Sequence, residues 1–417
     1  MKTVNIIKEN QLCTGCGTCN VICPHDAITM SYSIIGQLMP KIDSTKCTNC
    51  GLCYTNCPSY DKRRLIYKGE KNPYIGNVLD VYIGKSDNEK IFKNSQSGGM
   101  VTAILSFLFD VGLIDNAIVC SNDYAEKCNP KAVIVSNSRD LLSFQKSSYV
   151  QIDMISALKN VRENKRIAIV GTSCVIQGAY YLKRLGKFNI SYLIGLICDR
   201  TLCKAAADVL IDGYFAGKKK KIIWRDKTTS YKNACLIVER YDGKQKKFSS
   251  ERRFLLKDPF TPPRCRLCFD KLNIYSDITC GDPWGMENVD WTNGASLILV
   301  RSKKGKEIID QMSEVSLTPS TIEMVIKGQK ITRRINNVKN TIAEYRNKGW
   351  LLPTYYDDIE KTDVDPYTSN VVNTFLQDSK LDEIALKRKY IRYVRKQLFK
   401  SRIIRYIALI RKTMCLN

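Results

Sequence analysis

The chain has 417 residues, 44 % of them hydrophobic, with eighteen cysteines, one histidine and a formal charge of +25. That length exceeds a single small module and predicts two or three domains, and no run approaches the roughly eighteen apolar residues of a spanning helix, the segment from Met100 to Ile114 being broken by Asp110. His25 is the only histidine, which excludes Ser/His/Asp or Cys/His catalysis and a His-rich zinc site in the large domain.

Met1 to Leu12 lacks the apolar core of a secretory signal, so a reducing, cytoplasmic setting with free thiols is expected. Two cysteine ladders follow. Cys13, Cys16, Cys19 and Cys23 precede Pro24, and Cys47, Cys50, Cys53 and Cys57 precede Pro58. Each reads C-x-x-C-x-x-C-x-x-x-C-P, and Gly15, Gly17 and Gly51 supply the permissive backbone a wrapping loop needs. Two zinc sites or a disulfide framework are the bland alternatives, but zinc sites seldom use a third cysteine at this spacing. The pattern resembles bacterial two-cluster ferredoxins. The resemblance implies two 4Fe-4S clusters with crossed ligands: Cys13, Cys16, Cys19 and Cys57 for one, Cys47, Cys50, Cys53 and Cys23 for the other.

Beyond this module, placed at residues 1–68, Asp61 to Pro73 reads as a polar, basic linker. Short apolar runs then alternate with helical patterns. Strands are expected at Val78–Ile83, Asn116–Cys120, Ala132–Val135, Arg166–Val170, Ile190–Cys198 and Ala295–Arg301. Helices are expected at Met100–Phe109, Ile152–Val161, Val175–Leu185 and Gly305–Ser313. The alternation predicts an α/β domain with a mainly parallel sheet, and Lys220–Phe248, turning near Gly243, adds antiparallel hairpins. Lys218–Lys221 reads as a solvated turn. From Lys387 onward eleven Lys or Arg occur with no acid, and Tyr390, Ile391, Val394, Leu398, Ile403, Ile404 and Ile407 recur at helical spacing. Such a basic amphipathic helix either docks on an anionic surface or packs on its own domain.

Several phrases carry more than periodicity. Ser97, Gly98 and Gly99 open the helix at Met100, where exposed backbone N–H groups invite a phosphate. Then come KSSYVQ at Lys146–Gln151, GTSCVIQG at Gly171–Gly178, IGLIC ending at Cys198, PPRCRLC ending at Cys268, and DITCGDPWG at Asp277–Gly285. Their order resembles the beta-subunit family of coenzyme F-420 (deazaflavin) hydrogenases and dehydrogenases, over about residues 1–310.

That resemblance implies an iron–sulfur flavoprotein, its α/β flavin domain divided at residues 74–165 and 166–340 and followed by a basic helical tail at 341–417. It implies FAD or another flavin along Ser97, Gly98, Gly99 and Thr102, flanked by Lys146, Ser148, Tyr149 and Gln151. Cys174, Cys198, Cys265 and Cys268 fall in family positions and are implied as ligands of a third 4Fe-4S cluster, with Cys203 competing; Ser173 stands where the family has proline. Buried, inert thiols remain the alternative for these, and Cys120, Cys128, Cys235, Cys280 and Cys415 are read as core or surface thiols. Asp199 and Asp282 are weighed as proton donors, each also suited to a turn or cap. The expected activity is oxidoreduction, with single electrons passing along clusters to or from a flavin that handles hydride. Relatives act on deazaflavin, sulfite-linked acceptors, chlorophyll intermediates, or targets encoded beside bacterial surface-polysaccharide genes. The expected partners are an acidic redox partner, such as a ferredoxin or hydride-donating enzyme, and a small-molecule acceptor, with membrane-surface contact through the tail at the inner face. Two other classes are an electron-transfer adaptor without substrate and a nucleic-acid-associated Fe–S protein. Charge alone suggests nucleic acid, and no groove-reading motif accompanies it.

Overall fold

The computed structural model describes residues 2–59, 74–122, 130–210, 219–228, 230–287, 289–353, 356 and 359–414, with backbone alone at 219, 220 and 405–414. The expected linker at 61–73, Lys218, Cys128 and Cys415 lie outside those residues, as does the Ile407 side chain. The N-terminal module pairs β1 (Ile28–Tyr32) with β2 (Leu38–Ile42) as an antiparallel hairpin. Around it lie α1 (Val4–Glu9), α2 (Thr18–Ile22) and α3 (Leu52–Thr55). Gly17 and Gly51, at φ 89° and 78°, cap α2 and α3 in the left-handed region that a side chain would resist.

In the large domain β3 (Asp80–Ser86) leads through α4 (Glu89–Asn94) to α5 (Met100–Asp110). Next are β4 (Asn116–Ser121), β5 (Lys131–Val135), β6 (Ile167–Gly171), α6 (Ser173–Arg184), β7 (Ile190–Leu196) and α7 (Ala205–Leu210). A three-stranded antiparallel sheet of β8 (Lys219–Asp226), β9 (Cys235–Arg240) and β10 (Gln245–Phe248) turns at Gly243, as the hairpin pattern predicts. Lys219–Lys221 therefore begin a strand instead of a solvated turn. After α8 (Ser250–Leu255) and α9 (Pro263–Leu267) come β11 (Ile278–Gly281), β12 (Ser296–Val300), α10 (Lys303–Gln311) and β13 (Val315–Ser320). The chain ends in α11 (Ile322–Gly328), α12 (Ile331–Asn347), α13 (Pro366–Asp378) and α14 (Glu383–Met414).

The main sheet has eight strands in the order β13-β3-β12-β11-β7-β6-β4-β5. Only β11·β7, β7·β6 and β6·β4 are parallel, so the expectation of a mainly parallel sheet is corrected: β4·β5, β11·β12, β12·β3 and β3·β13 are antiparallel. The expected helix at Ile152–Val161 is a single 3-10 stretch, Ile155–Asn160.

One apolar cluster runs from the module into the large domain, joining Ile7, Leu12 and Val21 to Ile155, Ile176, Ala179 and Val338. Polar staples reinforce it. Gln151 receives the Leu38 N–H at 3.1 Å and donates to the Thr14 carbonyl at 3.0 Å, while Tyr32 donates to the Gln151 carbonyl at 2.8 Å. Gly36 packs so closely on the Lys204–Ala205 backbone that a Cβ would lie 2.5 Å from the Ala205 nitrogen.

Among the described residues no helix is long and apolar enough to cross a membrane. The first half of α14 is core: Leu386, Tyr390 and Val394 are buried with Val209, Phe260 and Phe375, and Ile391 and Leu398 lean on them. Of the two alternatives for the stripe, this half packs on its own domain, while Ile403 and Ile404 are exposed. Val394→Asp is expected to destabilise the protein by about 3 kcal/mol or more through an unpaired buried carboxylate. Ile404→Asp, at a position 67 % exposed, should stay within about 0.5 kcal/mol. Urea titration of both variants checks this, and equal midpoints would return the stripe to the surface.

Candidate functional site

The ladders fold into two interleaved groups of thiols. Cys13, Cys16, Cys19, Cys53 and Cys57 are buried, Cys23 and Cys47 half-buried, and Cys50 exposed. Burial drives the Cys19 thiol well up, and the neighbouring Cys13, Cys16 and Cys57 add to it. Cys57 is pushed up to about 12 by burial and then by Cys16. Cys53, raised by burial, feels Cys23, Cys47 and Cys50. The fourth cysteine of each run thus sits beside the other run's first three. Buried thiolates packed together repel one another unless a cation lies between them, which is the condition iron would meet. Backbone N–H groups of Val4 and Gly15 reach the sulfurs of Cys53 and Cys13 at 3.3 and 3.4 Å.

A second convergence lies deeper. Cys174 stands in the first turn of α6, Cys198 just past β7, and Cys265 and Cys268 in and after α9. Burial pushes Cys174 up to about 12, with Cys16, Cys265 and Cys268 as neighbouring thiols. Cys198, driven well up by burial, has Cys174, Cys265 and Cys268 around it. Cys203 has Cys265 as its thiol neighbour and is itself fully buried in the apolar cluster with Trp224 and Phe260. The fold therefore gathers Cys174, Cys198, Cys265 and Cys268 and leaves Cys203 at their edge. Among the described residues no group of three or more His, Cys, Asp or Glu forms a site for a single metal ion. Thiols set around a cube of iron and sulfide need no common point.

Beside the deeper thiols opens a cavity of about 430 Å³, a size that suits a small-molecule ligand. Its wall includes Thr14 and Gly15 from the first ladder, and Cys174 and Cys198 from the deeper set. Ser97, Gly99, Met100 and Thr102 bring the N-terminus of α5 to it, and Lys146, Ser148, Tyr149 and Gln151 a neighbouring loop. The Ser148 hydroxyl is buried without a hydrogen-bond partner, an orphan that a ligand would satisfy. Lys146 holds φ 78°, and its ammonium is lowered by burial.

Two expected contacts change character. Gly98 is absent from the wall: a Cβ there would lie 2.4 Å from the Gly84 carbonyl and 2.6 Å from the Ser296 nitrogen. The missing side chain serves strand packing. Gln151 spends both ends of its amide on the module's backbone, so it joins domains more than it flanks a ligand.

The proton-donor candidates are bound up in ion pairs. Burial works to raise the Asp199 carboxyl, but Lys257, Arg334, Arg200 and Lys271 outweigh it and hold it well below the usual carboxylate range. Asp282 accepts from the Tyr231 hydroxyl at 2.8 Å and from buried Arg225. Residues the sequence left unmarked also line the cavity, among them Gln96, Arg225, Lys257 and Lys271. Burial brings the Lys271 ammonium down to about 8. For the three cations the signal was only charge near apolar neighbours.

Comparison with known proteins matches residues 81–159 to the N-terminal model of the family "Coenzyme F420 hydrogenase/dehydrogenase, beta subunit", and residues 164–321 to the C-terminal model of that same family. Residues 12–60 and 39–90 each match a 4Fe-4S dicluster domain. The coenzyme F420-dependent sulfite reductase of Methanocaldococcus jannaschii is 28 % identical over 73 % of this chain, a match spanning 46 % of that protein. The coenzyme F420 hydrogenase subunit beta of Methanosarcina barkeri is 22 % identical over 67 % of this chain and 96 % of its own length. The F420-dependent formate dehydrogenase 1 subunit beta of Methanococcus maripaludis is 24 % identical over 66 % of this chain and 70 % of its own. A chain of the F420-reducing [NiFe] hydrogenase complex from Methanosarcina barkeri superposes with a TM-score of 0.53 at 20 % identity, covering 69 % of this chain and 99 % of that one.

Proposed function

This chain belongs to the coenzyme F420 hydrogenase/dehydrogenase beta-subunit family, with a 4Fe-4S dicluster domain in front, and from that premise we propose that it relays single electrons between an external redox partner and a flavin-type ring held in the central cavity. It is an oxidoreductase that transfers electrons, as its family does. The observation that carries the finer reading is the cavity wall itself, which joins the first ladder's Thr14 and Gly15 to Cys174 and Cys198.

The clusters would supply one-electron steps, and a ring able to take electrons singly, such as FAD, would couple them to hydride transfer, with F420, which exchanges only hydride, as a two-electron substrate of that ring. The chain's residues set the order. The exposed Cys50 edge meets the partner, the buried group of Cys13, Cys16, Cys19 and Cys57 comes next, and Cys16 adjoins Cys174 of the deeper set. At the cavity, the α5 N-terminus and Lys146 favour an anionic ligand, and Ser148 offers a free hydroxyl. The apolar share of the wall, including Met100, Val119 and Leu196, excludes water from the ring. The external partner is proposed to be acidic, since it must approach a chain of charge +25. The acceptor is proposed to be a small molecule, and a link to surface-polysaccharide metabolism stays part of this proposal.

Anaerobic reconstitution tests the reading. Wild-type protein should hold about twelve iron per chain, and Cys265→Ser with Cys268→Ser should lower that by about four while the ladder signals persist. Unchanged iron in a folded double variant would return these cysteines to plain core thiols. Extraction of the purified protein should release a flavin-type chromophore, and its absence from folded, iron-loaded protein would leave an electron-transfer adaptor.

A further inference from the structure

We propose that Arg334 is a positioning residue for the four-thiol site of Cys174, Cys198, Cys265 and Cys268, fixing its loops to helix α12 and setting its reduction potential with a permanent positive charge. The inference rests on those cysteines being cluster ligands.

Arg334 is buried, and its guanidinium donates three hydrogen bonds to backbone carbonyls of the site. Nε reaches Cys268 at 2.7 Å, Nη2 reaches Cys265 at 3.0 Å, and Nη1 reaches Asp199, the residue after Cys198, at 2.7 Å. The planar fork of an arginine spans both loops at once, which the point charge of a lysine does not do. Helix α12, at Ile331–Asn347, lies beyond both matched family segments, 81–159 and 164–321. The clamp therefore ties a helix outside the matched segments to loops inside them.

Electrostatics gives the clamp its second effect. The Arg334 guanidinium is a permanent charge held at hydrogen-bond distance from the Cys268 and Cys265 carbonyls. Asp199 does not cancel the guanidinium, because Lys257 is paired with the same carboxylate. A reduced cluster carries one more negative charge than an oxidised one. A fixed cation in a water-poor setting favours the reduced form, so Arg334 raises the potential of this site above what its thiolates alone would give. The ladder groups lack this guanidinium against their backbone and should not respond to its removal.

The test uses full-length protein reconstituted anaerobically, with EPR-monitored redox titration and the rate of iron loss to a chelator as readouts. Arg334→Gln removes the charge, and Arg334→Lys keeps it while breaking the fork. For Arg334→Gln, a tenfold shift of the deep site's redox equilibrium toward the oxidised form is expected, about 59 mV downward for one electron, with the ladder signals unmoved. For Arg334→Lys, the potential should stay near wild type while iron is lost several-fold faster. A folded Arg334→Gln protein with wild-type potential and iron loss overturns the proposal. If that variant does not fold, Arg334→Lys decides, and wild-type iron loss there overturns it. If wild-type iron stops at the ladder clusters, and Cys265→Ser with Cys268→Ser changes nothing, the ligand reading fails first and takes the clamp with it.

Discussion

Asp282→Asn is expected to destabilise the protein by about 3–5 kcal/mol, the range for breaking a buried ion pair from one side. Arg225 is 3 % exposed at its side chain and is paired with Asp282. It donates also to the Tyr231 carbonyl at 3.2 Å, and its guanidinium lies 5.1 Å from the Trp284 ring centroid. An amide at 282 leaves that largely buried guanidinium without its anion. The Tyr231 hydroxyl keeps an acceptor, so the loss is one of charge more than of hydrogen-bond count. Replacing both partners together, Arg225→Leu with Asp282→Leu, should recover much of the stability, because the desolvation cost leaves with the charges. Equilibrium urea unfolding of the two singles and the double measures it. A single variant within about 1 kcal/mol of wild type would place the pair in solvent and reopen Asp282 as a proton donor.

Gly98→Ala should be nearly as damaging, although it adds one methyl group. The added carbon would meet backbone on two sides, the Gly84 carbonyl of β3 and the Ser296 nitrogen of β12, both closer than real contacts allow. Neither can swing aside, and the Gly98 N–H already donates to the Ser296 hydroxyl at 3.1 Å. Overpacking of this kind costs about 3 kcal/mol or more when backbone must move. Gly112→Ala is the control: a Cβ there meets nothing within 4 Å, and only its φ of +67° opposes the change, for about 1 kcal/mol. Thermal unfolding of both variants decides. Gly98 lies outside the left-handed region, so a loss no larger than that of Gly112→Ala would mean that the β3 and β12 backbones yield to the added methyl.

The ladders were legible because their spacing is local: three ligands and one or two glycines lie on one short loop. The deeper set could be read as residue types, but Cys203 and Cys198 look alike until β7 ends and the chain turns Cys203 into an apolar cluster. Strand direction was hidden for a physical reason. β6, β11 and β12 are buried on both faces, and such strands read as continuous apolar runs whether their neighbours run with or against them. The tail's helical period was plain in Tyr390, Val394 and Leu398, yet long cations cover apolar surface as easily as they face solvent. Arg334 did leave a trace. It falls on the same face as Ile331, Val338, Ile342 and Tyr345, all buried, and a charge on the inward stripe of a helix asks what it pairs with.

Gln151, Tyr32 and Gly36 weld the N-terminal module to the large domain, so it is held in place against the cavity wall. An arm that ferries charge by moving would be slowed in glycerol and sensitive to linker length. A welded relay has neither dependence. Solvent viscosity should then slow turnover only through the arrival of outside molecules, the proposed partner at the Cys50 edge and the proposed small acceptor at the cavity.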